Sequence, residues 1–329
     1  MTYYADNPYL HAKIHALRSK LLKRNDYIEI INAKKANLAF PGLVTETDAK
    51  DLTRVREIVF RSQIDKVIHF VRASEYYTDL FRSFLRFFEV SNFKLLLAKS
   101  FGRKVLIEQW NDISPYNEFD RDLLKDNISV SEYKTLLENT YLGNVFSNGF
   151  YEKYETIESR IDFYSTLNFF EFSKKISLEQ RQIFDDIMLR RVVLLAIVWA
   201  RRLKESYSWD EDKISIFILS LYRVIEDFPW KDRKIAEIIR QLQKEIDERL
   251  GKKESTGIVP ETTDIEFELE KYFRSYVWRT FSRDFHSIHC VISYLWLLYY
   301  QIQNLFKIIE GFRFNVSPDM LYNKINCEG

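Results

Sequence analysis

The chain has 329 residues, of which 46% are hydrophobic, and its 49 Lys and Arg residues almost balance 48 Asp and Glu residues. This length allows a large core in one domain or two, and the hydrophobic content excludes a disordered polymer. The formal net charge of +1 argues against a dedicated nucleic-acid binder, which usually has a large basic excess. Two cysteines in so long a chain make no disulfide framework, so we expect a reducing compartment.

Helical periodicity dominates the chain, and Gly (8) and Pro (6) are scarce. Asn7-Pro8 opens the first predicted helix, because Asn accepts from first-turn amides and Pro suits the first helical position. The first predicted helix begins at residue 7, the second at 25 or 26, and the third runs from 47 or 48 through 71. The other predicted helices, in chain order, cover 79–101, 130–137, 151–172, 177–205, 210–222, 229–250, 264–281, 288–310 and 318–325. No segment has a convincing strand period, so the predicted fold class is all-α.

The longest nearly uncharged run, 287–304, includes the polar residues His289, Gln301 and Asn304. A spanning helix needs roughly 20 predominantly apolar residues, so we interpret this run as a central core helix. We therefore predict that the chain does not cross a membrane, although it could lie against a membrane complex. Residues 1–7 are polar and lack the apolar core segment of a signal peptide, so we predict none. The polar stretch 251–263 is the predicted mobile loop.

Two glycines follow long apolar helices and precede short ones. We interpret Gly102 as a left-handed helix cap and Gly311 as a helix stop. They are 209 positions apart, and the midpoint near Ser206 again falls between two helices. This spacing predicts one all-α body made of three repeats, at 1–115, 116–222 and 223–329. The alternative is coincidence among many helix ends.

Three motifs extend from the first predicted helix to the last. The opening helix has Tyr9-Leu10-x-Ala12-x-Ile14-x-x-Leu17-x-x-x-Leu21-Leu22. The first repeat has Glu89-x-x-Asn92-Phe93-x-x-Leu96-Leu97-x-x-x-x-Gly102. The closing signature is Ile302-x-Asn304-Leu305-x-x-Ile308-x-x-Gly311, followed by Ser317-Pro318-x-x-Leu321-x-x-x-Ile325. In this order the three motifs resemble the C-type or d-type subunit family of vacuolar- and archaeal-type (V/A-type) rotary ATPases.

The chain also departs from the family pattern. Its middle repeat lacks the acidic-x-x-Asn motif and has Leu189 and Arg190 where Asn is expected. Ahead of Asn304, positions that are often charged in the family are Leu298, Tyr299 and Tyr300. These differences concern contacts with partners more than the fold.

The resemblance implies a funnel of three similar helical lobes around a pseudo-three-fold axis. Its narrow side would rest on the membrane proteolipid c-ring, and its wide side would receive the foot of the central shaft, built from D- and F-type subunits. The protein would be peripheral, on the cytoplasmic face of the membrane. It would pass rotation between the ATP-driven motor and the ion-carrying rotor without any cofactor. Asn92, Gly102, Asn304, Gly311 and Pro318 would be its structural motif residues.

The residue pattern itself offers two further features. Asn92 and Asn304 lie among apolar residues, so we interpret them as buried amides that bridge helices or a backbone carbonyl, with direct partner contact as the alternative. Arg190 with Arg201, and Arg191 with Arg202, are spaced about three helical turns apart. That face could dock acidic partner surfaces, since Arg suits paired carboxylates; the alternative is an ordinary solvated face.

Catalytic interpretations rank lower. Two candidate metal sites are His11 with His15, and His286 with His289 and Cys290, but neither has a partner cluster at zinc-like spacing. Asp185-Asp186 resembles the start of an isoprenoid-synthase cluster, yet the acidic pattern stops there, and we interpret the pair as an exposed turn. No phosphate-binding loop or nucleophile elbow occurs. We therefore predict a non-catalytic central-stalk subunit with no metal and no cofactor; the alternatives are an unrelated helical scaffold and a helical isoprenoid-handling enzyme.

Overall fold

The computed structural model describes residues 8–73, 77–146, 153–222, 262–282 and 287–327, with five single positions between 237 and 248. In these residues the secondary structure consists of α-helices and short 3-10 turns, without a strand, so the all-α prediction is confirmed. The predicted mobile loop at 251–263 lies outside the described residues, apart from its last two positions, which open a helix. The α-helices are α1 Pro8–Arg18, α2 Arg24–Asn32, α3 Ala36–Ala39, α4 Leu52–Ala73, α5 Thr78–Ser100, α6 Val130–Glu138, α7 Tyr154–Ser173, α8 Leu178–Glu205, α9 Glu211–Tyr222, α10 Thr262–Phe281, α11 Ile288–Arg313 and α12 Pro318–Lys324.

The chain divides into two compact units. Unit 1 contains Met1–Thr78, Ile176–Phe184 and Glu270–Gly329, and unit 2 contains Asp79–Lys175 and Asp185–Leu269. The predicted division into three repeats stays a prediction.

Helix α11 is the centre of unit 1, where it packs against α4, α1 and α12. Its first eleven residues are all buried, from Ile288 to Leu298. Such burial on every side explains why this segment lacks a polar stripe, and it agrees with the interpretation of 287–304 as a core helix. Among the described residues, no helix is both long enough and apolar enough to cross a membrane.

Unit 2 has its own apolar core around the C-terminal half of α5. Phe93, Leu96 and Leu97 are fully buried there with Tyr133 from α6 and Ile161 from α7. The Tyr133 hydroxyl donates to the Phe93 carbonyl at 3.0 Å, so the phenol packs its ring and satisfies its polar end at once. Short helix α6 is fixed at its start by a capping box in which Ser129 and Glu132 bond each other's backbone amides.

Helix α5 ends as the sequence predicts. Gly102 has φ +70°, its amide donates to Lys99 O at 2.8 Å, and the Arg103 amide donates to Ala98 O at 2.9 Å. These two bonds form a Schellman motif with glycine in the left-handed position, which a residue without Cβ adopts at little cost.

The interpretation of Gly311 as a helix stop is wrong. Helix α11 continues through Gly311 to Arg313, and the left-handed residue beyond it is Asn315, with φ +51°. The Val316 amide donates to Gly311 O at 2.9 Å, which again gives a Schellman motif. A Cβ at position 311 would lie 2.3 Å from the Leu321 Cδ2 atom, so any larger residue there would force the buried Leu321 side chain of α12 to move. Helix α12 begins as predicted, with Ser317 as N-cap and Pro318 in the first turn.

A third left-handed residue follows the long helix α8. Ser208 has φ +54°, and the Trp209 amide donates to Leu203 O at 3.0 Å. The long helices α5, α8 and α11 are therefore each followed by a left-handed residue, at positions 102, 208 and 315, which are 106 and 107 positions apart. By this spacing, the position equivalent to Gly102 in the third predicted repeat would be Asn315 rather than Gly311.

We expect Gly311→Ala to lower the free energy of unfolding by about 1–3 kcal/mol, because the added methyl overlaps Leu321 in a packed core. The measurement is urea unfolding of the full chain. In a Leu321→Ala background the same change should cost little, since the space is then open and alanine favours helix. Equal costs in both backgrounds would contradict the close-approach role of Gly311.

Candidate functional site

The Asn92 side chain holds the segment that follows α5. Its Nδ2 donates to Asn111 O at 2.8 Å, and its Oδ1 accepts from Asn111 N at 2.8 Å. Asn92 is 1% exposed and Asn111 is 2% exposed, so both bonds lie in the interior of unit 2. We call this arrangement, in which one Asn side chain bonds both backbone groups of a single later residue, an amide clamp.

The same arrangement occurs in unit 1 at the other predicted asparagine. Asn304 Nδ2 donates to Asn326 O at 2.9 Å, and Asn304 Oδ1 accepts from Asn326 N at 3.0 Å. The Asn304 side chain is also hydrogen-bonded to the Tyr27 hydroxyl. The clamped residue lies 22 positions after the clamping one, compared with 19 at Asn92. Both clamps therefore anchor the segment that returns after a long helix.

An amide clamp has a clear physical reason. A segment that leaves a helix and returns into the core brings backbone N–H and C=O groups away from water, and each must find a partner. A carboxamide is the side-chain group that offers a donor and an acceptor side by side, so one Asn satisfies both groups. This agrees with the interpretation of Asn92 and Asn304 as structural amides rather than partner contacts.

One turn before each clamping asparagine, a second side chain bonds another distant backbone amide. In unit 2, Glu89 Oε1 accepts from the Glu118 N–H. In unit 1, Gln301 Oε1 accepts from Leu22 N at 2.6 Å, while Gln301 Nε2 donates to Gln63 Oε1 at 2.7 Å. Glu89 and Asn92 are three residues apart on α5, and Gln301 and Asn304 are three residues apart on α11. On each helix, two neighbouring side chains of one face therefore bond distant backbone groups.

Glu89 is an unusual anchor because it is an acid that is only 1% exposed. Burial and, to a smaller extent, the neighbouring Glu118 charge raise its pKa, while the hydrogen bond from the Glu118 amide and the Arg86 charge oppose the shift, and the resulting pKa is about 8. Its second oxygen, Oε2, has no hydrogen-bond partner among the described residues. Glu89 is therefore predominantly protonated at neutral pH and charges only at alkaline pH.

The predicted docking arginines of α8 do not share one environment. Arg190 and Arg191 are buried, at 6% and 7% exposure, so the interpretation of this pair as a solvated or docking face is wrong. Arg190 Nε lies 3.2 Å from Asp186 Oδ2, and Arg190 Nη1 donates to Gln241 Oε1 at 2.8 Å. A buried arginine costs free energy unless its donors are paired, and these contacts supply partners inside unit 2.

Arg201 and Arg202 remain partly exposed. Arg202 Nη2 contacts both carboxylate oxygens of Glu266 at 2.7 Å, and its guanidinium stacks 5.3 Å from the Trp199 ring. Arg201 Nη1 lies 3.7 Å from Glu205, in an exposed pair worth little stability. A docking role for the α8 arginines therefore stays a prediction for these two positions alone.

The two predicted metal sites do not form as separate clusters; instead, one residue of the first contacts one residue of the second. His11 Nδ1 lies 3.0 Å from Cys290 Sγ, and both side chains are buried. His15 instead packs edge-on against the Phe281 ring at 4.8 Å, and His286 lies outside the described residues. Within the described parts of the chain, no three His, Cys, Asp or Glu side chains are placed to hold a metal ion.

The interpretation of Asp185-Asp186 as an exposed turn is wrong. Both residues lie within α8, and Asp185 is fully buried. Asp186 pairs with Arg190 one turn later on the same helix. Asp185 thus belongs to the interior of unit 2, and Asp186 lies at its partly buried edge.

We expect Asn92→Ala and Asn304→Ala each to lower the free energy of unfolding by about 2–4 kcal/mol, because each leaves one buried N–H and one buried C=O without a partner. Asn326→Ala is the matched control. It keeps the clamped backbone groups and removes a side chain that has no hydrogen-bond partner among the described residues. If Asn326→Ala cost as much as Asn304→Ala, the clamp would not be the stabilising contact.

The raised pKa of Glu89 predicts that the free energy of unfolding depends on pH. Its pKa of about 8 in the folded chain exceeds the ordinary 4.5, so the folded state binds more protons between these values and stability falls as pH rises through them. We expect wild type to lose up to ~1.4 kcal/mol per pH unit relative to Glu89→Gln between pH 5.5 and 8.

Urea unfolding at pH 5.5, 7 and 8.5 measures this difference. Glu132→Gln is the control, because Glu132 is exposed, has a lowered pKa and does not titrate in that range. Parallel pH profiles for wild type and Glu89→Gln would show that Glu89 is not held protonated.

The family model described as ATP synthase (C/AC39) subunit matches residues 10–324. That range covers nearly the whole chain, including Asn92, Asn111 and Asn304. No curated protein matches the chain. Since the match extends over most of the sequence and agrees with the closing signature, the chain belongs to the ATP synthase (C/AC39) subunit family, which is the C-type or d-type family of V/A-type ATPases.

Proposed function

We propose that this protein is the non-catalytic central-stalk subunit that couples the rotating shaft to the membrane proteolipid ring. The observation that supports this most directly is the family match over 10–324, a range that includes both clamping asparagines. The resemblance assigns the shaft side to D- and F-type subunits and the ring side to the c-ring. On this proposal the protein lies on the cytoplasmic face of the membrane and needs no cofactor.

A protein that couples rotation transmits torque, so it must deform little when its two sides are twisted. Close-packed helices resist deformation because protein interiors have few voids. Irregular segments between helices are the places where a helical body is weakest. In this chain the segments after α5 and α11 are tied back to those helices at Asn111 and Asn326. These hydrogen bonds suit a protein that transmits torque.

A three-fold arrangement of lobes belongs to the same proposal. Its support is the recurrence of a left-handed residue after α5, α8 and α11 at 106- and 107-residue spacing. The repeats would be unequal in detail, since Asn92 stands ten residues before Gly102 and Asn304 eleven before Asn315. In the middle repeat, the positions ten and eleven residues before Ser208 are Val198 and Ile197, both apolar. The middle repeat would then rely on apolar packing where the other two use an amide clamp.

Reconstitution tests the coupling role directly. Complexes assembled with and without this protein, from the remaining ATPase subunits of the same source, would be compared for ATP hydrolysis and ion transport in vesicles. We expect loss of ion transport that is driven by ATP when the protein is omitted, and recovery when it is added back. An Asn139→Ala chain, altered at an exposed helix end, should restore transport fully. Full transport in its absence would contradict the proposal.

Arg201→Glu tests the docking surface on α8. We expect several-fold weaker binding to the shaft or the ring at low ionic strength, and a smaller difference at high salt, because exposed charges are screened. Lys204→Glu reverses a more exposed charge on the same helix, 59% exposed compared with 40% for Arg201, and serves as the comparison. Unchanged affinity at low salt would exclude a docking role for Arg201.

A further inference from the structure

The segment 112–119 of unit 2 is attached to α5 at both of its ends. Just before it, Asn92 bonds both backbone groups of Asn111, and the Asn111 side chain donates to Phe88 O at 2.9 Å. Every donor and acceptor in these three bonds belongs to a neutral amide, so none of them titrates. The Asn111 end of the segment is therefore attached in the same way at every pH.

The opposite end of the segment is held by ionisable side chains. The Glu118 amide donates to Glu89 Oε1, and Arg86 Nη2 lies 3.4 Å from Glu118 Oε1. Arg86 is placed against Tyr141, since its guanidinium carbon lies 4.4 Å from that ring centre and its carbonyl accepts from the Tyr141 hydroxyl at 3.3 Å. The ion pair that Arg86 makes among the described residues is thus with Glu118 rather than with Glu89.

The Glu89 carboxyl lies beneath this end of the segment. It is 1% exposed, and the backbone of Glu118 and Phe119 faces it. Its Oε2 atom is buried with no hydrogen-bond partner in the described parts of the chain. A carboxylate there would be kept from water with one oxygen unpaired and a second acid beside it, so this position favours the neutral form. The pKa of about 8, which burial raises first and the Glu118 charge second, agrees with this geometry.

Among the described residues, three titratable groups face Glu89 from the elements packed against it. Arg86 lies one turn earlier on α5, Glu118 lies in the covering segment, and Tyr141 lies in the turn after α6. Burial raises the pKa of the Tyr141 hydroxyl well above its usual value, so this group stays neutral while Glu89 titrates. Loss of the Glu89 proton therefore places a second negative charge beside Glu118, with Arg86 as the cation that both carboxylates attract.

We propose that the contact between Glu89 and Glu118 is a pH-sensitive switch, which keeps segment 112–119 closed on α5 while Glu89 carries its proton and opens it at the Glu118 end when that proton passes to solvent. Water reaches Glu89 only after the covering backbone moves away, so the charged form favours the open segment. The Asn111 end stays attached, because its amides do not titrate. The proposal goes beyond the coupling role and does not rest on it.

Amide hydrogen exchange of the full chain at pH 5.5, 6.5 and 7.5 tests the switch. The readout is the protection factor of the Glu118 amide, which is the rate expected for an unstructured chain at the same pH divided by the measured rate. In the wild type it should fall by up to about tenfold for each pH unit, because the closed segment keeps the Glu89 proton that the open segment loses.

Two variants show whether Glu89 causes this change. Glu89→Gln keeps the oxygen that accepts from the Glu118 amide but cannot ionise, so its protection factor should be equal at the three pH values. Glu138→Gln removes an exposed acid of α6 and should retain the wild-type profile. Circular dichroism checks that both variants fold.

Low concentrations of urea separate local opening from unfolding of the whole chain, and this comparison needs the wild type alone. Opening of a short segment exposes little surface, so the Glu118 protection factor should change little with urea, whereas protection of amides released only by global unfolding should fall. The proposal would be overturned by a Glu118 protection factor that is independent of pH in the wild type, falls equally in Glu89→Gln, or follows the urea dependence of global unfolding.

Discussion

The requirement that buried backbone groups find partners governs how this helical protein is held together. Helices satisfy their own amides and carbonyls, but the segments that leave them and return into the core do not. Asn92 and Asn304 meet this requirement with one side chain each, by bonding both backbone groups of Asn111 and Asn326. Two long helices in different units thus fix their following segments by the same contact, without needing a strand or a disulfide.

Sequence patterns predicted the helices, the left-handed cap at Gly102 and the importance of two asparagines, because these follow from periodicity and local chemistry. The clamped residues were not predictable, since they lie 19 and 22 positions later in segments without a period. Gly311 was misinterpreted because a glycine late in an apolar helix fits a cap and a close packing contact equally well. Arg190 and Asp185 were placed at the surface on residue type, although tertiary packing encloses them.

The proposed coupling role depends on the stiffness of the protein rather than on a reactive group. Coupling needs a stiff body, and the amide clamps, the capped helices and the dense cores of both units supply stiffness.

Amide hydrogen exchange tests the clamps most directly, because it reports on the two clamped N–H groups themselves. In the wild-type chain the amides of Asn111 and Asn326 should exchange slowly, although both residues lie outside α-helices. In Asn92→Ala the Asn111 amide should lose this protection while the Asn326 amide keeps it, and Asn304→Ala should give the reverse. If both amides exchanged in wild type as fast as an exposed loop, the clamps would not hold these segments.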